Sequence, residues 1–240
     1  MTARLLIEYD GGGFAGWARQ PGQRTVQEVL EEALERQAGR VVALTVGGRT
    51  DAGVHASGQV ASHEGGPLPR ERVNAGLPPD LRVLESEPAA DGFDARRDAV
   101  GRVYRYRVAP GPVERPLERG RALHWRYPVD RRVLDECAAL LSGRHDFTAF
   151  TPTDGYHRRF ERDVTRAEWV EEPGGVLAFW IEADSFMRHM VRTLVGTMLG
   201  LAAGRTTIPP FATLLEGCHR REAGDTAHAH GLYLEAIRYS

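Results

Sequence analysis

Hydrophobic positions recur along this chain with two periods. Val26, Val29, Leu30, Ala33 and Leu34 fall at helical spacing behind the pair Thr25 and Glu28, a T-x-x-E capping box, so a helix with one buried face is expected there. Residues 100–108 (VGRVYRYRV) repeat every second position, as a strand does. Runs at 4–9 (RLLIEY), 41–46 (VVALTV), 59–63, 81–87 and 232–239 predict further strands. Residues 163–171 and 176–183 predict an antiparallel pair around Pro173-Gly174-Gly175. Helices are expected over 70–77, stopped by Pro78-Pro79, after the cap Asp130, and over the largely apolar stretch 188–203. The elements alternate in two comparable halves, 1–107 and 108–240, bridged by a Pro/Gly-rich segment at 110–116. Hairpins and mixed connections favour an α+β fold, two similar α/β halves with mixed, mostly antiparallel sheets, over a doubly wound parallel one.

Composition narrows the chemistry. The 31 Lys+Arg cations are all arginines, which excludes a P-loop lysine, a Schiff-base lysine and a pyridoxal anchor. Arginine suits bidentate phosphate contact. A net charge of −2 does not announce nucleic-acid binding, so RNA contact would require arginines gathered on one face. Two cysteines without a C-x-x-C motif, no signal-peptide pattern and no apolar run of membrane-spanning length lead to the expectation of a cytoplasmic protein with reduced thiols.

Residues 47–55, GGRTDAGVH, carry the strongest chemical signal. An apolar run leads into a glycine turn that presents Asp51, with Arg49 before it and His55 after it, the arrangement that sets a reactive group at the end of a rigid element. An aspartate in such a turn also serves simply to hydrogen-bond its own backbone.

The longer string from Gly47 through Gly58, Gln59 and Val60 resembles the active-site segment of the tRNA pseudouridine synthase A family. The resemblance returns in order along nearly the whole chain. It covers Tyr9-Asp10-Gly11, then Phe14, Gly16 and Trp17, then Thr25-Val26-Gln27, then Asn74, Leu77 and Pro78. It continues in Phe93, Ala95 and Arg96, in Arg102, Tyr104 and Tyr106, in Phe186, His189 through Arg192 and Gly196, and in Gly231-Leu232-Tyr233. It implies two halves joined around a central active-site cleft, and an isomerase acting on uridines 38, 39 and 40 of the tRNA anticodon stem-loop. It further implies base flipping, no cofactor, no metal, and a homodimer holding one tRNA across both subunits. By the same resemblance Asp51 is the nucleophile, Arg192 the cation that keeps it ionised, and Tyr104 the ring that stacks on the target base. Arg49, His55 and Arg96 join Tyr104 as substrate-binding residues. Arg19, Arg24, Arg97, Arg158 and Arg159 are further candidates for phosphate contact. Ala18 and Asp94 depart from the family pattern, where glutamine and histidine are usual, and Asp94 adds a negative charge near the expected RNA.

Two other classes fit parts of the sequence. His228-Ala229-His230 is a weak metal-binding spacing that would suit a metal-dependent hydrolase, and Ser57 lies close to His55 without a G-x-S-x-G motif. A non-catalytic RNA-binding module with exposed aromatics on a sheet is the second.

Overall fold

The computed structural model describes residues 1–155 and 158–240. The chain folds into two compact units, one formed by Met1–Arg102 with Tyr233–Ser240, the other by Val103–Leu232. Strands and helices with antiparallel and parallel pairings make the fold α+β.

The first unit is built on strands β1 (Thr2–Tyr9), β2 (Thr45–Val46), β3 (His55–Glu64), β4 (Leu81–Ala89) and most of the final strand, Leu232–Tyr239. β1 lies between β3 and β4 and is antiparallel to both; the final strand runs parallel to β3. Alternation along β1 buries Ala3, Leu5, Ile7 and Tyr9 on one face. Helix α1 (Val26–Ala38) starts where Thr25 accepts the Glu28 N–H and ends at Gly39 in the left-handed conformation. It buries Val26, Leu30, Ala33 and Leu34, each worth roughly 1–3 kcal/mol of hydrophobic stabilisation. Helix α2 (Arg70–Ala75) packs on α1 and β4.

One expected element differs. Of the run 41–46 only Thr45 and Val46 form a strand. Upstream, the N–H groups of Val42 and Leu44 donate not to a neighbouring strand but to carboxylates of α1, Glu35 at 3.2 Å and Glu31 at 2.9 Å. Side chains have taken the bonds a ladder would have used. Glu31, only 6% exposed, also accepts from Arg19 and Gln27, which offsets the cost of burying it.

The second unit contains most of β5 (Ala99–Pro110), then β6 (Leu123–Trp125), β7 (Gly143–Asp146), β8 (Glu161–Glu172) and β9 (Val176–Ala183). The strands lie in the order β5-β9-β8-β7, with β6 parallel to β5. The β8–β9 hairpin closes at the expected glycine turn, where Glu172 faces Val176. Helix α3 (Arg131–Ala139), capped by Asp130, packs on β8 and on α4 (Met190–Ala202). The short strands β6 and β7 were not expected. With three and four residues they are too brief for periodicity to register. The last strand, Leu232–Tyr239, is β10.

Candidate active site

The Asp51 loop connects β2 to β3 and is held from several sides. At its start the Gly47 N–H donates to the Val60 carbonyl at 2.8 Å. At its end the Val54 N–H donates back to the Asp51 carbonyl at 3.2 Å, a turn that Gly53 permits at φ 77°. Between them the Thr50 carbonyl accepts the Trp17 N–H at 3.0 Å, while the Gly53 N–H donates to the Phe14 carbonyl. The Tyr9 hydroxyl meets the Thr50 hydroxyl at 2.7 Å. Gln59 donates to that same Tyr9 oxygen at 3.3 Å and to the Gly48 carbonyl at 2.6 Å. Burial pushes the Tyr9 phenol up to about 12, against the opposing hydrogen bonds from Thr50 and Gln59, so this brace stays neutral at ordinary pH. Asp51 itself is half-exposed.

Neighbouring segments approach so closely that side chains are excluded. A Cβ on Gly11 would stand 2.0 Å from the Val54 carbonyl oxygen, and one on Gly16, which sits at φ 95°, would stand 2.9 Å from that of Thr50. The loop is therefore moulded against 11–17 through backbone atoms.

His55 is only 2% exposed. Its ring stacks on Tyr233 at 4.7 Å, and its Nδ1 lies 3.1 Å from both the Gly11 N–H and an Asp10 oxygen. With Nδ1 unprotonated the ring accepts from Gly11, whereas with Nδ1 protonated it donates to Asp10. Either way the ring fastens the start of β3 to 10–11. Arg49 and Arg96 are exposed, and neither side chain has a hydrogen bond or ion pair among the described residues. Arg102 ties their supports together. Its guanidinium donates to the Gly47 carbonyl at 2.8 and 3.2 Å and to Ala99 at 3.2 Å, and Tyr239 donates to the Ala95 carbonyl at 2.7 Å.

In the second unit, Tyr104 of β5 is buried with its ring edge-on to Phe186 at 5.0 Å. Tyr106 is wholly buried and donates to the His228 carbonyl, as expected of a packing residue. Arg192 lies in the first turn of α4, half-exposed, with Nε donating to the Ala227 carbonyl at 2.7 Å. The segment carrying Ala227 crosses the helix at Gly196, where a Cβ would stand 1.9 Å from the Asp225 oxygen. His189, just before α4, takes φ 62°, the only non-glycine among the described residues at positive φ.

A family model described as tRNA pseudouridine synthase matches residues 5–90 and 137–240. The chain belongs to the tRNA pseudouridine synthase family. Proteins called tRNA pseudouridine synthase A are similar along nearly their whole length. That of Myxococcus xanthus is 39% identical over 98% of this chain and 91% of its own. That of Frankia casuarinae is 43% identical over 98% and 88%, and that of Syntrophotalea carbinolica is 39% identical over 100% and 96%.

Membership in the pseudouridine synthase family makes the chain an isomerase. The scattered motif strings acquire a common physical purpose in the first unit. Tyr9, Gly11, Gly16, Trp17 and Gln59 all brace the Asp51 loop, and Gln27 donates its N–H to the Trp17 carbonyl. Tyr9, Gln59 and Arg102 stand in the quoted strings, but their spacing did not reveal what they hold. Other candidate arginines divide clearly. Arg19 pairs with Glu31, Arg24 with Asp80, Arg97 with Asp98 and Arg159 with Asp184. Arg158 is exposed with no side-chain partner among the described residues. The unusual Asp94 caps its own turn, accepting the N–H groups of Arg96 and Arg97 at 2.9 and 2.8 Å.

The hydrolase alternatives find little. Ser57 donates to Glu235 at 2.5 Å. The rings of His228 and His230 stack 5.6 Å apart, and among the described residues no three His, Cys, Asp or Glu side chains are placed to hold a metal ion. Among them, too, no helix is long and apolar enough to cross a membrane.

Proposed function

We propose that this chain converts uridine to pseudouridine at positions 38, 39 and 40 of the tRNA anticodon stem-loop, with Asp51 as the nucleophile. Uridine isomerisation in tRNA follows from the family. The positions and the residue roles rest on the resemblance and on the character of the Asp51 loop. The observation that carries the proposal is that loop: its backbone is fastened at Gly47, Gly48, Thr50, Gly53 and Val54 while Asp51 remains half-exposed. A reactive group must be held in place yet reachable.

The reaction breaks the bond from C1′ to uracil N1, turns the ring, and forms a bond from C1′ to C5. The C5 proton leaves and N1 gains one, so the change is redox-neutral and calls on no cofactor. Asp51 supplies the carboxylate. Arg192 is the compensating cation, because a guanidinium nearby favours the ionised carboxylate. Tyr104 stacks on the extruded base, a contact worth about 1–3 kcal/mol, similar to the cost of unstacking it. Arg49 and Arg96 contact the RNA backbone. His55, being buried, serves the substrate indirectly by holding the start of β3. A homodimer with one tRNA across both subunits would gather a basic face from chains of net charge −2, and the cytoplasm is the compartment expected.

The test is incubation of the purified protein with an unmodified tRNA transcript carrying U38, U39 and U40, followed by chemical mapping of pseudouridine. Conversion at those sites, lost singly when each is changed to cytidine, is the expected result. Conversion confined to other uridines overturns the assignment of positions.

A further inference from the structure

The second unit holds a basic cluster that shares no residue with the site described above. Tyr127 is half-buried between two guanidiniums. The Arg205 Cζ lies 3.8 Å from its ring centroid, and the Arg126 Cζ lies 5.0 Å away with Nη2 donating to the phenol oxygen at 3.0 Å. Trp125 packs against the same ring at 5.2 Å. Two like charges on one ring repel each other; the face of the ring and its oxygen attract both. The two cations together hold the Tyr127 phenol below its usual range, Arg126 contributing most.

What the cluster lacks is an anion. Neither Arg126 nor Arg205 forms an ion pair with a carboxylate among the described residues, although acids outnumber bases 33 to 31 in the chain. Beside it opens a cavity of about 520 Å³, a size that accommodates a nucleotide. Pro110, Pro128 and Leu177 give it an apolar lining, and Arg126, Tyr127 and Glu171 give it polar groups. Arg131 also lines it, but its charge is met by Asp135. A phosphodiester suits the paired guanidiniums, and a hydroxyl donor suits the carboxylate of Glu171. A ribonucleotide within an RNA strand offers both at once, through its phosphate and its 2′-hydroxyl.

We propose that the Arg126–Tyr127–Arg205 cluster and the adjoining cavity form an accessory RNA-binding site that takes one backbone phosphate and its ribose from the substrate tRNA. This rests on the tRNA reading above but uses different residues, and so fails separately from it.

The experiment measures tRNA binding across a series of KCl concentrations for the wild type, Arg205→Gln and the double variant Arg126→Gln/Arg205→Gln, with thermal midpoints in parallel. Arg205 is exposed and its side chain makes no hydrogen bond among the described residues, so its substitution is safe for folding. About tenfold weaker binding near 0.1 M salt is expected for the double variant, and the slope of log affinity against log salt should fall by roughly 1, the value for one phosphate contact. Arg205→Gln should give about half that slope change, and the turnover rate at saturating tRNA should stay unchanged. An unchanged slope overturns the proposal, whether or not affinity or thermal midpoint moves. Failure of the tRNA reading would show differently, as absence of pseudouridine with the wild-type protein.

Discussion

Replacing Gly11 by alanine probes how the Asp51 loop is held. A Cβ at this position would lie 2.0 Å from the Val54 carbonyl oxygen, and a relaxed contact needs at least 3.0 Å, so something must yield by about 1 Å. The atoms met are backbone at the end of the loop, with no flexible side-chain tip to swing aside. Val54 is also bonded to the Asp51 carbonyl, and Gly11 to His55, so the displacement passes directly to the carboxylate and to the start of β3. Overpacking of this kind costs about 1–3 kcal/mol of stability, which a chain of this size tolerates. Catalysis is far less tolerant, since a misplacement of about 1 Å costs on the order of a hundredfold in rate. Gly11→Ala should therefore fold, bind tRNA within a few-fold of the wild type, and lose roughly two decades in the single-turnover rate of pseudouridine formation. A rate within threefold of wild type, in a protein of normal tRNA affinity, would refute the idea that backbone contact with 11–17 sets the position of Asp51.

Other outcomes follow from particular side chains. Arg49→Ala and Arg96→Ala should each weaken tRNA binding and lower the salt slope by about 1, read from titrations at several ionic strengths. Glu31→Ala, which leaves the buried Leu44 N–H without its acceptor and removes a partner of Arg19 and Gln27, should cost roughly 2–3 kcal/mol in urea unfolding. Alkaline stability provides a pH test. Tyr9 ionises near 10 when unfolded and about 12 when folded, so its neutral form favours the native state below pH 10 and that contribution fades as pH climbs from 10 to 12. About 2–3 kcal/mol should be lost across that window, and Tyr9→Phe should flatten that part of the fall in unfolding experiments at stepped pH.

Much of the architecture was legible because its signals are local. The Thr25 cap, the 3.6-residue face of α1 and the glycine turn between β8 and β9 each act within a few positions. The segment 41–44 was misread for a physical reason: its apolar, β-branched composition is that of a strand, but whether a backbone N–H meets a strand or a helix carboxylate is a tertiary matter. Glu31 was overlooked because a charged residue on a helix usually faces water, and only its three donors make burial acceptable here. At the candidate site, Asp51 and the exposed arginines could be nominated from residue type and motif. The bracing could not, because Tyr9 meets Thr50 across 41 residues and Gln59 across 50. Motif glycines showed where space was needed without showing which backbone fills it.

The central claim is that the Asp51 carboxylate performs the isomerisation, and Asp51→Asn addresses it with nearly no change in shape. The decisive measurement quantifies both tRNA affinity and pseudouridine content after prolonged single-turnover incubation with that variant. Affinity close to wild type with no detectable product is predicted. Product accumulating at a rate near the wild type's would contradict the account and leave the loop as scaffold for some other catalytic group.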